Sequence, residues 1–509
     1  MDSIRKRNTA IDEAIQRTRL SRDLMGGTPA MRRGGWIKKG SAENFADYEN
    51  RRDSAVLFNG FKRTLGYLAG QVFKKDLEIT RESQLYDLFT RMQNDIDLQG
   101  NDLRTFAQRF FIMAVHDGAM CLLVQYPTVR MNDAGQYWDD VNEEWVTRTR
   151  ETDQTQGWRP YFTALNYDKI LGARFEYING VKVLTQLRIL ETVINKGEFD
   201  VDDEEIEQVR LLERGRWSTW RKVGEQGGKE TWAMVDEGKT SISDIPLAVF
   251  MPGERITEIT AIPALEDLAF LNMRHFVASA DQQVLMQFVR RPPWFGRALV
   301  QEGETVQFGP GRMVHSNDPN AALTSVGIDP SSVEAGRGEL KDLEDRMSLY
   351  GLMMLMPTLR ASGGKTATQA QQESAESVSQ LMNWAQSFKD CFDQAFKFAA
   401  MYEGIEVGKE PEVKLPVDFQ PGMGMEPRTL IEAVEKLILP KQIVFDEFRR
   451  RGLVSESYDW EEVLGMMQRE AVGPTEMPGQ SDDVLDFVRS IAEREATATG
   501  QVGPDGEAS

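Results

Sequence analysis

The chain has 509 residues, with 60 Lys+Arg against 80 Asp+Glu, a formal net charge of −20 at pH 7. At ~100–200 residues per domain this allows roughly three domains or one multi-part subunit, and 41% hydrophobic residues is enough to build a core, which excludes wholesale disorder. No run of about 18 consecutive apolar residues occurs, so neither a membrane span nor a membrane partner is expected, and the first twenty residues have no apolar h-region, so no secretory signal is expected.

Residues 1–40 read as a loosely ordered N-terminal arm. Met25-Gly26-Gly27-Thr28-Pro29 and Gly34-Gly35 interrupt helix formation, and Trp36 stands as an isolated anchor able to dock on a neighbour. Residues 43–77 turn helical: Phe58, Phe61, Leu65, Leu68 and Val72 recur at the three–four spacing of one face. Two helices follow near 81–97 and 102–116, the second with Asp102 as N-cap and Gly118 as C-terminal stop. Met120 to Val124 is a short apolar run, read as a buried strand. From about 158 to 251 the period changes to two. Phe175 to Ile178, Asn179-Gly180 and Val181 to Val183 form a hairpin signal, because Asn-Gly supplies the positive φ of a type I′ turn. Further strands near 207–222 and 230–236 complete an antiparallel meander. The acidic stretch Asp200 to Glu207 sits at a turn and lacks the glycine and ligand spacing of a calcium loop.

Residues 262–290 return to helix, with Leu265, Leu268, Leu271, His275 and Phe276 on one face. Arg290-Arg291-Pro292-Pro293 ends it, since proline cannot continue the ladder. His275 reads as a packed or interfacial histidine. Residues 294–330 form a small insert of strands and turns, and 333–355 are helical again, with Leu340, Leu343, Met347 and Leu352-Met353 in a stripe. The loop Met356 to Gly364 feeds a long helix over about Lys365 to Tyr402, stopped by Gly404. Its second half carries Val378, Leu381, Ala385, Phe388, Phe392, Ala395 and Ala399, whereas its first half is small and polar and suits contact with a neighbouring copy or a crossing of one large core. A Pro/Gly/Met-rich connection leads to a helical module near 428–437, 441–451, 459–469 and 482–496, and then a tail.

No catalytic signature is present. There is no Gly-x-Ser-x-Gly elbow, no His-Glu-x-x-His helix and no P-loop. Cys121 and Cys391 cannot form a disulfide framework and suit a reducing compartment, and His116, His275 and His315 lie far apart, so neither a metal nor any cofactor is expected. Carboxylate pairs such as Glu461-Glu462 arise by chance among 80 acidic residues, which leaves a metal-dependent hydrolase or nuclease as the competing reading. Charge is uneven: residues 1–75 hold 16 Lys/Arg and 8 Asp/Glu, and residues 455–509 hold 3 and 13. Either these meet an oppositely charged neighbour or they are solvated surface. An acidic chain opposes tight duplex binding, because such affinity comes mainly from phosphate neutralisation.

The order of parts, together with Tyr48-Glu49-Asn50-Arg51-Arg52 before Leu57-Phe58-Asn59-Gly60, Pro263 to Asn272 with Arg274-His275, and Thr366-Ala367-Thr368 with Glu373 to Ser377, resembles the portal proteins of tailed bacteriophages, in particular one family catalogued as of unknown function. The resemblance covers about residues 40–405. It implies an α+β, elongated subunit: arm 1–40, wing 41–261, first stem helix 262–292, clip 293–331, second stem helix 332–355, tunnel loop 356–364, long wing helix and connection 365–426, α-helical crown 427–497 and disordered tail 498–509. It further implies a non-enzymatic homo-oligomer, normally a dodecameric ring, at one capsid vertex of the virion, built in the host cytoplasm with the major capsid or scaffold protein. The ring docks the terminase large subunit and later the head–tail adaptor, and passes double-stranded DNA without sequence specificity. By position, Thr358, Leu359, Arg360, Ser362, Gly363, Gly364 and Lys365 would form the tunnel loop. Arg360 and Lys365 would touch phosphates, unless Arg360 merely pairs with a neighbouring carboxylate. Trp294, Phe295 and Arg297 would form the clip interface, unless the two aromatics are the clip's own small core.

Overall fold

The computed structural model describes residues 3–127, 132, 134, 136–139, 143–195, 203–226, 229–297, 318–353, 367–406, 408, 412–415, 441–442, 444–445 and 460–471, without side chains over most of 350–379. It divides into two compact units, residues 1–419 and 420–509.

Short polar side chains start the N-terminal helices. Asn8 accepts from Ala10 N (2.9 Å) before α1 (Thr9–Met25), Asn44 from Asp47 N (2.8 Å) before α3 (Phe45–Ser54), and Asn59 from Lys62 N (2.9 Å) before α4 (Gly60–Val72). The short α2 (Gly27–Arg33) follows α1 directly. Beyond β1 (Glu78–Ile79) come α5 (Tyr86–Met92) and α6 (Leu103–Asp117). As expected, Asp102 caps α6 by accepting from Thr105 N (2.6 Å), and Gly118 ends it at φ +90°. A Cβ at Gly118 would lie 2.9 Å from the carbonyl of Ala261, so the position admits glycine alone.

β2 (Met120–Gln125) is the buried strand expected from its apolar run. After β3 (Gln136–Asp139), β4 (Glu144–Thr147) and α7 (Arg150–Thr155) comes β5 (Tyr161–Leu165). The meander is a five-stranded antiparallel sheet of β6 (Ile170–Ile178), β7 (Val181–Asn195), β8 (Glu204–Glu213), β9 (Arg216–Gln226) and β10 (Lys229–Lys239). Asn179 and Gly180 turn its first hairpin at φ +52° and +79°. The stretch expected as one strand over 207–222 is two, β8 and β9, because Gly215 at φ +75° reverses the chain between them. β11 (Leu247–Phe250) returns to pair with β2, giving a three-stranded sheet in the order β11-β2-β5. β12 (Glu254–Arg255) and β13 (Ala261–Ile262) lead into α8 (Glu266–Arg290). Then come β14 (Trp294–Arg297), β15 (Ala322–Ser325), α9 (Pro330–Met353), α10 (Ala367–Tyr402) and β16 (Val413–Lys414), which pairs with β1. The fold class is α+β, as expected.

The main core lies between α4, α5, α6, the first half of α8, the second half of α10 and the three-stranded sheet. Phe388 is its centre, with the rings of Phe73, Phe110, Phe111, Phe250 and Phe392 at 4.5–6.3 Å. Such aromatic groups are favoured by area burial and by edge-to-face geometry. At ~1.5 Å per residue the 36-residue α10 is about 54 Å long. Its described second half is apolar as expected; the side chains of its first half fall outside the described residues.

The N-terminal segment departs from expectation. It is not loosely ordered: Ile11, Ala14, Leu20, Leu24 and Met31 are buried, and they bridge the helical core to the meander. The glycine pair at 26–27 is a tight joint between two helices. Trp36 is no free anchor, because its Nε1 donates to Asp23 (2.8 Å) and Arg19 lies over its ring. Frequent charged residues hide α1's apolar spacing, yet Arg22 spends its charge inward. It bonds Asp117 through Nε (3.0 Å) and Nη2 (2.7 Å), and Asp168 through Nη1 (2.6 Å).

In the second unit, α11 (Trp460–Ala471) lies where the sequence places a helix, with Trp460 against Phe445. The other helices expected there, and the tail, lie wholly or mostly outside the described residues.

Candidate functional site

The site is the helix pair α8–α9 with its β14–β15 hairpin. Over its first fifteen residues α8 is a core helix: Leu268, Ala269, Asn272, Phe276 and Ala280 are buried. Asn272, fully buried, accepts at Oδ1 from Phe61 N (2.8 Å) and donates from Nδ2 to the Phe58 carbonyl (2.8 Å). The Phe61 N–H is thereby satisfied, the Phe58 carbonyl gains a second donor beside Gly60 N (3.1 Å), and α8 is keyed to α4. Arg51 of α3 makes a second tie. It holds Glu43 with Nε (2.9 Å) and Nη2 (2.8 Å) and reaches Asp281 of α8 with Nη1 (2.8 Å). Hydrogen bonds from Arg51 and from Gly40 N hold the Glu43 carboxyl down to about 2.

α8 ends as its sequence dictates. Arg291 N makes the last bond, to the Gln287 carbonyl (2.9 Å), and Pro292-Pro293 has no N–H to continue. β14 and β15 then pair antiparallel, Trp294 opposite Ser325 and Arg297 opposite Ala322. Asp329 opens α9 by accepting from Ser331 N (3.0 Å), with Pro330 in the first turn. The two helices are joined by Gln282 Nε2 to the Val333 carbonyl (3.1 Å), by Arg274–Glu339 (2.8 Å) and by His275 Nε2 to Glu344 (3.2 Å). Gly336 sits under Gln282, whose Oε1 would be 2.0 Å from any Cβ there. His275 is buried beside the Phe58 ring (5.3 Å), and its Nδ1 has no partner. It is the packed histidine expected from its place on the apolar face.

Burial stops abruptly. Among the described residues from 281 to 342 none is buried. This stretch exposes Phe288 (49%), Trp294 (52%), Phe295 (63%) and Val326 (56%). Trp294, Phe295 and Arg297 lie on the exposed strand β14. Thr358, Leu359, Arg360, Ser362, Gly363, Gly364 and Lys365 lie outside the described residues.

The arrangement offers surface rather than reaction chemistry. Both cysteines are buried, and burial pushes the Cys121 thiol up to about 12, where it is a poor nucleophile. Among the described residues no group of three or more His, Cys, Asp or Glu is placed to hold a metal ion, and no helix is long and apolar enough to cross a membrane. A cleft of about 820 Å³ lies between the meander and the end of α10. Three of its arginines are already engaged, Arg148 with Asp153 (3.0 Å), Arg221 with Gln208 (3.1 Å) and Arg210 with Glu191 (3.2 Å, off the hydrogen-bond direction). Sequence reasoning missed Asn272, Arg51 and Arg22. Asn272 carries the one available signal, a polar residue interrupting an apolar helix face.

Comparison with known proteins places a family match on this same segment. Residues 264–403, from the entry to α8 to the end of α10, match the family described as a domain of unknown function, DUF4055. No curated protein matches the chain. Solved structures with distant similarity to the chain include three from gene transfer agent particles. The virion of a native gene transfer agent particle matches at 12% identity and a TM-score of 0.37, over 76% of this chain and 87% of that one. The neck of the empty particle, computed with C6 symmetry, matches at 12% and 0.39, over 75% and 87%. The neck of the native particle, with C12 symmetry, matches at 13% and 0.36, again over 75% and 87%.

Proposed function

We propose that the chain is the subunit of a phage-type portal: a ring, twelve copies in the usual arrangement, at one vertex of a capsid. The observation that carries this reading is the loss of burial beyond Ala280. Two helices and a hairpin in which no described residue between 281 and 342 is buried, yet Phe288, Trp294, Phe295 and Val326 are exposed, form a subunit unfinished alone. Exposed apolar area of this kind marks association surfaces. Copies arranged head to tail cover such faces and close into a ring when the rotation allows.

In this reading α8 and α9 line a channel for double-stranded DNA, and acidic walls keep the polyanion from sticking. Arg360 of the loop over 356–364 and Lys365 just after it give transient phosphate contacts. Trp294, Phe295 and Arg297 meet the terminase large subunit during packaging and the head–tail adaptor afterwards, and the ring sits among major capsid or scaffold subunits, in the host cytoplasm first and in the virion later. The protein provides passage and docking, and leaves ATP hydrolysis to the terminase.

Negative-stain electron microscopy of the purified chain tests this directly. Rings with a central hole are expected. A monodisperse 57.7 kDa monomer at high concentration, or divalent-metal-dependent DNA cleavage by the pure protein, overturns it.

A further inference from the structure

Glycine inside a helix weakens it, and a group that must approach the bare backbone closely is one reason for its presence. Gly336 has one, the Gln282 side chain above it. Gly66 and Gly70 of α4, Gly338 of α9 and Gly465 of α11 have none among the described residues: a Cβ at any of them would meet nothing within 4 Å, and Gly66, Gly70 and Gly338 are exposed. At Gly70 and Gly338 a close approach from outside the protomer is one such reason.

The neighbours of these glycines say what it is. The outward side of α4 and the turn after it present Arg63, Tyr67, Gly70 and Lys74, and the outward side of α9 presents Glu334, Gly338, Lys341 and Asp345; all eight are exposed. The intervals are four, three and four in both. Set antiparallel, Arg63 faces Asp345, Tyr67 faces Lys341, Gly70 faces Gly338 and Lys74 faces Glu334. Each charge meets its opposite, the lysine meets an aromatic ring, and the glycines coincide where the two backbones would come closest. Arg63, Lys74, Lys341 and Asp345 form no ion pair among the described residues, and Glu334 has only an exposed contact with Arg337 at 3.5 Å. Both strips cover 12 residues, about 16 Å at the helical rise, with Lys74 in the turn just past α4.

One chain cannot satisfy both strips. Each lies opposite its own helix's buried side, Phe61, Leu65 and Leu68 on α4 and Leu343 and Met347 on α9. We infer that the α4 strip of one protomer packs antiparallel on the α9 strip of a second copy of this chain. Every copy carries both strips, so the contact is heterologous and runs head to tail. The inference rests on the ring reading above and names the surfaces that would close it.

The test uses full-length protein. The pair Gly70→Cys and Gly338→Cys in one chain should give, under mild oxidation, a ladder of covalent multimers that collapses on reduction, whereas either cysteine alone should give none. Cys121 and Cys391 are buried and stay out of the reaction. In parallel, R63E with K74E, and separately E334K with D345K, should each lower ring formation by about tenfold or more, as like charges meet across the contact. Mixing the two defective chains should restore rings of alternating composition, because each then faces its opposite; recovery on mixing also shows that both variants are folded. If wild-type rings form but neither cross-linking nor charge reversal has an effect, the inference is overturned and the ring reading stands. If the wild-type chain stays monomeric at every concentration, both are overturned.

Discussion

Asn272→Ala isolates the joint that carries α8 out of the core. The side chain is completely buried and forms two 2.8 Å hydrogen bonds, one to Phe61 N and one to the Phe58 carbonyl. Removing it strands the buried Phe61 N–H and leaves the Phe58 carbonyl with only its bond from Gly60 N (3.1 Å). At about 1–3 kcal/mol for an unsatisfied buried group, the expected loss is ~1–3 kcal/mol, a sizeable share of a domain's stability. Urea denaturation followed by tryptophan fluorescence reads the total, and hydrogen exchange at the Phe61 amide reads the local part. A companion variant separates hydrogen bonding from packing. Asn272→Asp keeps an acceptor for Phe61 N but sets a carboxylate against the Phe58 carbonyl in a buried site. It should be strongly destabilised at pH 7 and regain stability as the pH falls and the carboxyl protonates to donate instead. A loss below ~1 kcal/mol for the alanine variant, with Phe61 exchange unchanged, would refute the claim that Asn272 keys α8 to α4.

Other outcomes follow from the same reasoning. Arg22→Ala leaves Asp117 buried with a single partner, His116, and should cost about 3–5 kcal/mol, with Arg22→Lys failing to rescue because a single ammonium cannot reproduce the two-pronged contact; thermal melts would show whether lysine suffices. Glu43 has a folded-state pKa depressed to about 2, so its contribution is present above the ordinary carboxylate pKa and fades as the pH falls from roughly 4.5 towards 2; Glu43→Gln should flatten stability across that acid window and leave the slope near neutrality unchanged. Gly118→Ala should be severely destabilising, since φ is +90° and the new Cβ lies 2.9 Å from backbone, whereas Gly180→Ala, at φ +79° with open space, should lose only ~1 kcal/mol; equal effects in a denaturation series would contradict the steric account. Phe388→Ala should lower stability by about 3–5 kcal/mol through the cavity left among five rings, and smaller side effects on α8 would show in its exchange protection.

What could be read along the chain was what short-range physics controls. Asp102 caps α6 because a carboxylate three residues before an amide can reach it, whatever else the chain does. Asn179-Gly180 turns because those two residues tolerate positive φ. Pro292-Pro293 ends α8 because neither has an N–H. The helical faces of α4, α8 and the second half of α10 follow from apolar spacing alone, and with them the order helix, strand pair, helix, long helix.

What only the tertiary structure decided was partnership across long separations. Arg22 and Asp117 are 95 residues apart and Asn272 and Phe61 are 211 apart, and nothing in local spacing couples them. The charge-rich segment 9–33 seemed built for solvent because eight charged residues are interspersed among nine apolar ones; it is core because its apolar side chains pack inward and Arg22 finds the buried Asp117, with the half-exposed Asp168 beside it. The same holds for β11, which crosses back to β2 although the hairpin rule favours its sequence neighbours. Hydropathy and turn chemistry set which elements form. Which faces remain uncovered, and so where this chain needs another copy, depends on how those elements pack, and that is a property of the assembled volume rather than of any stretch of residues.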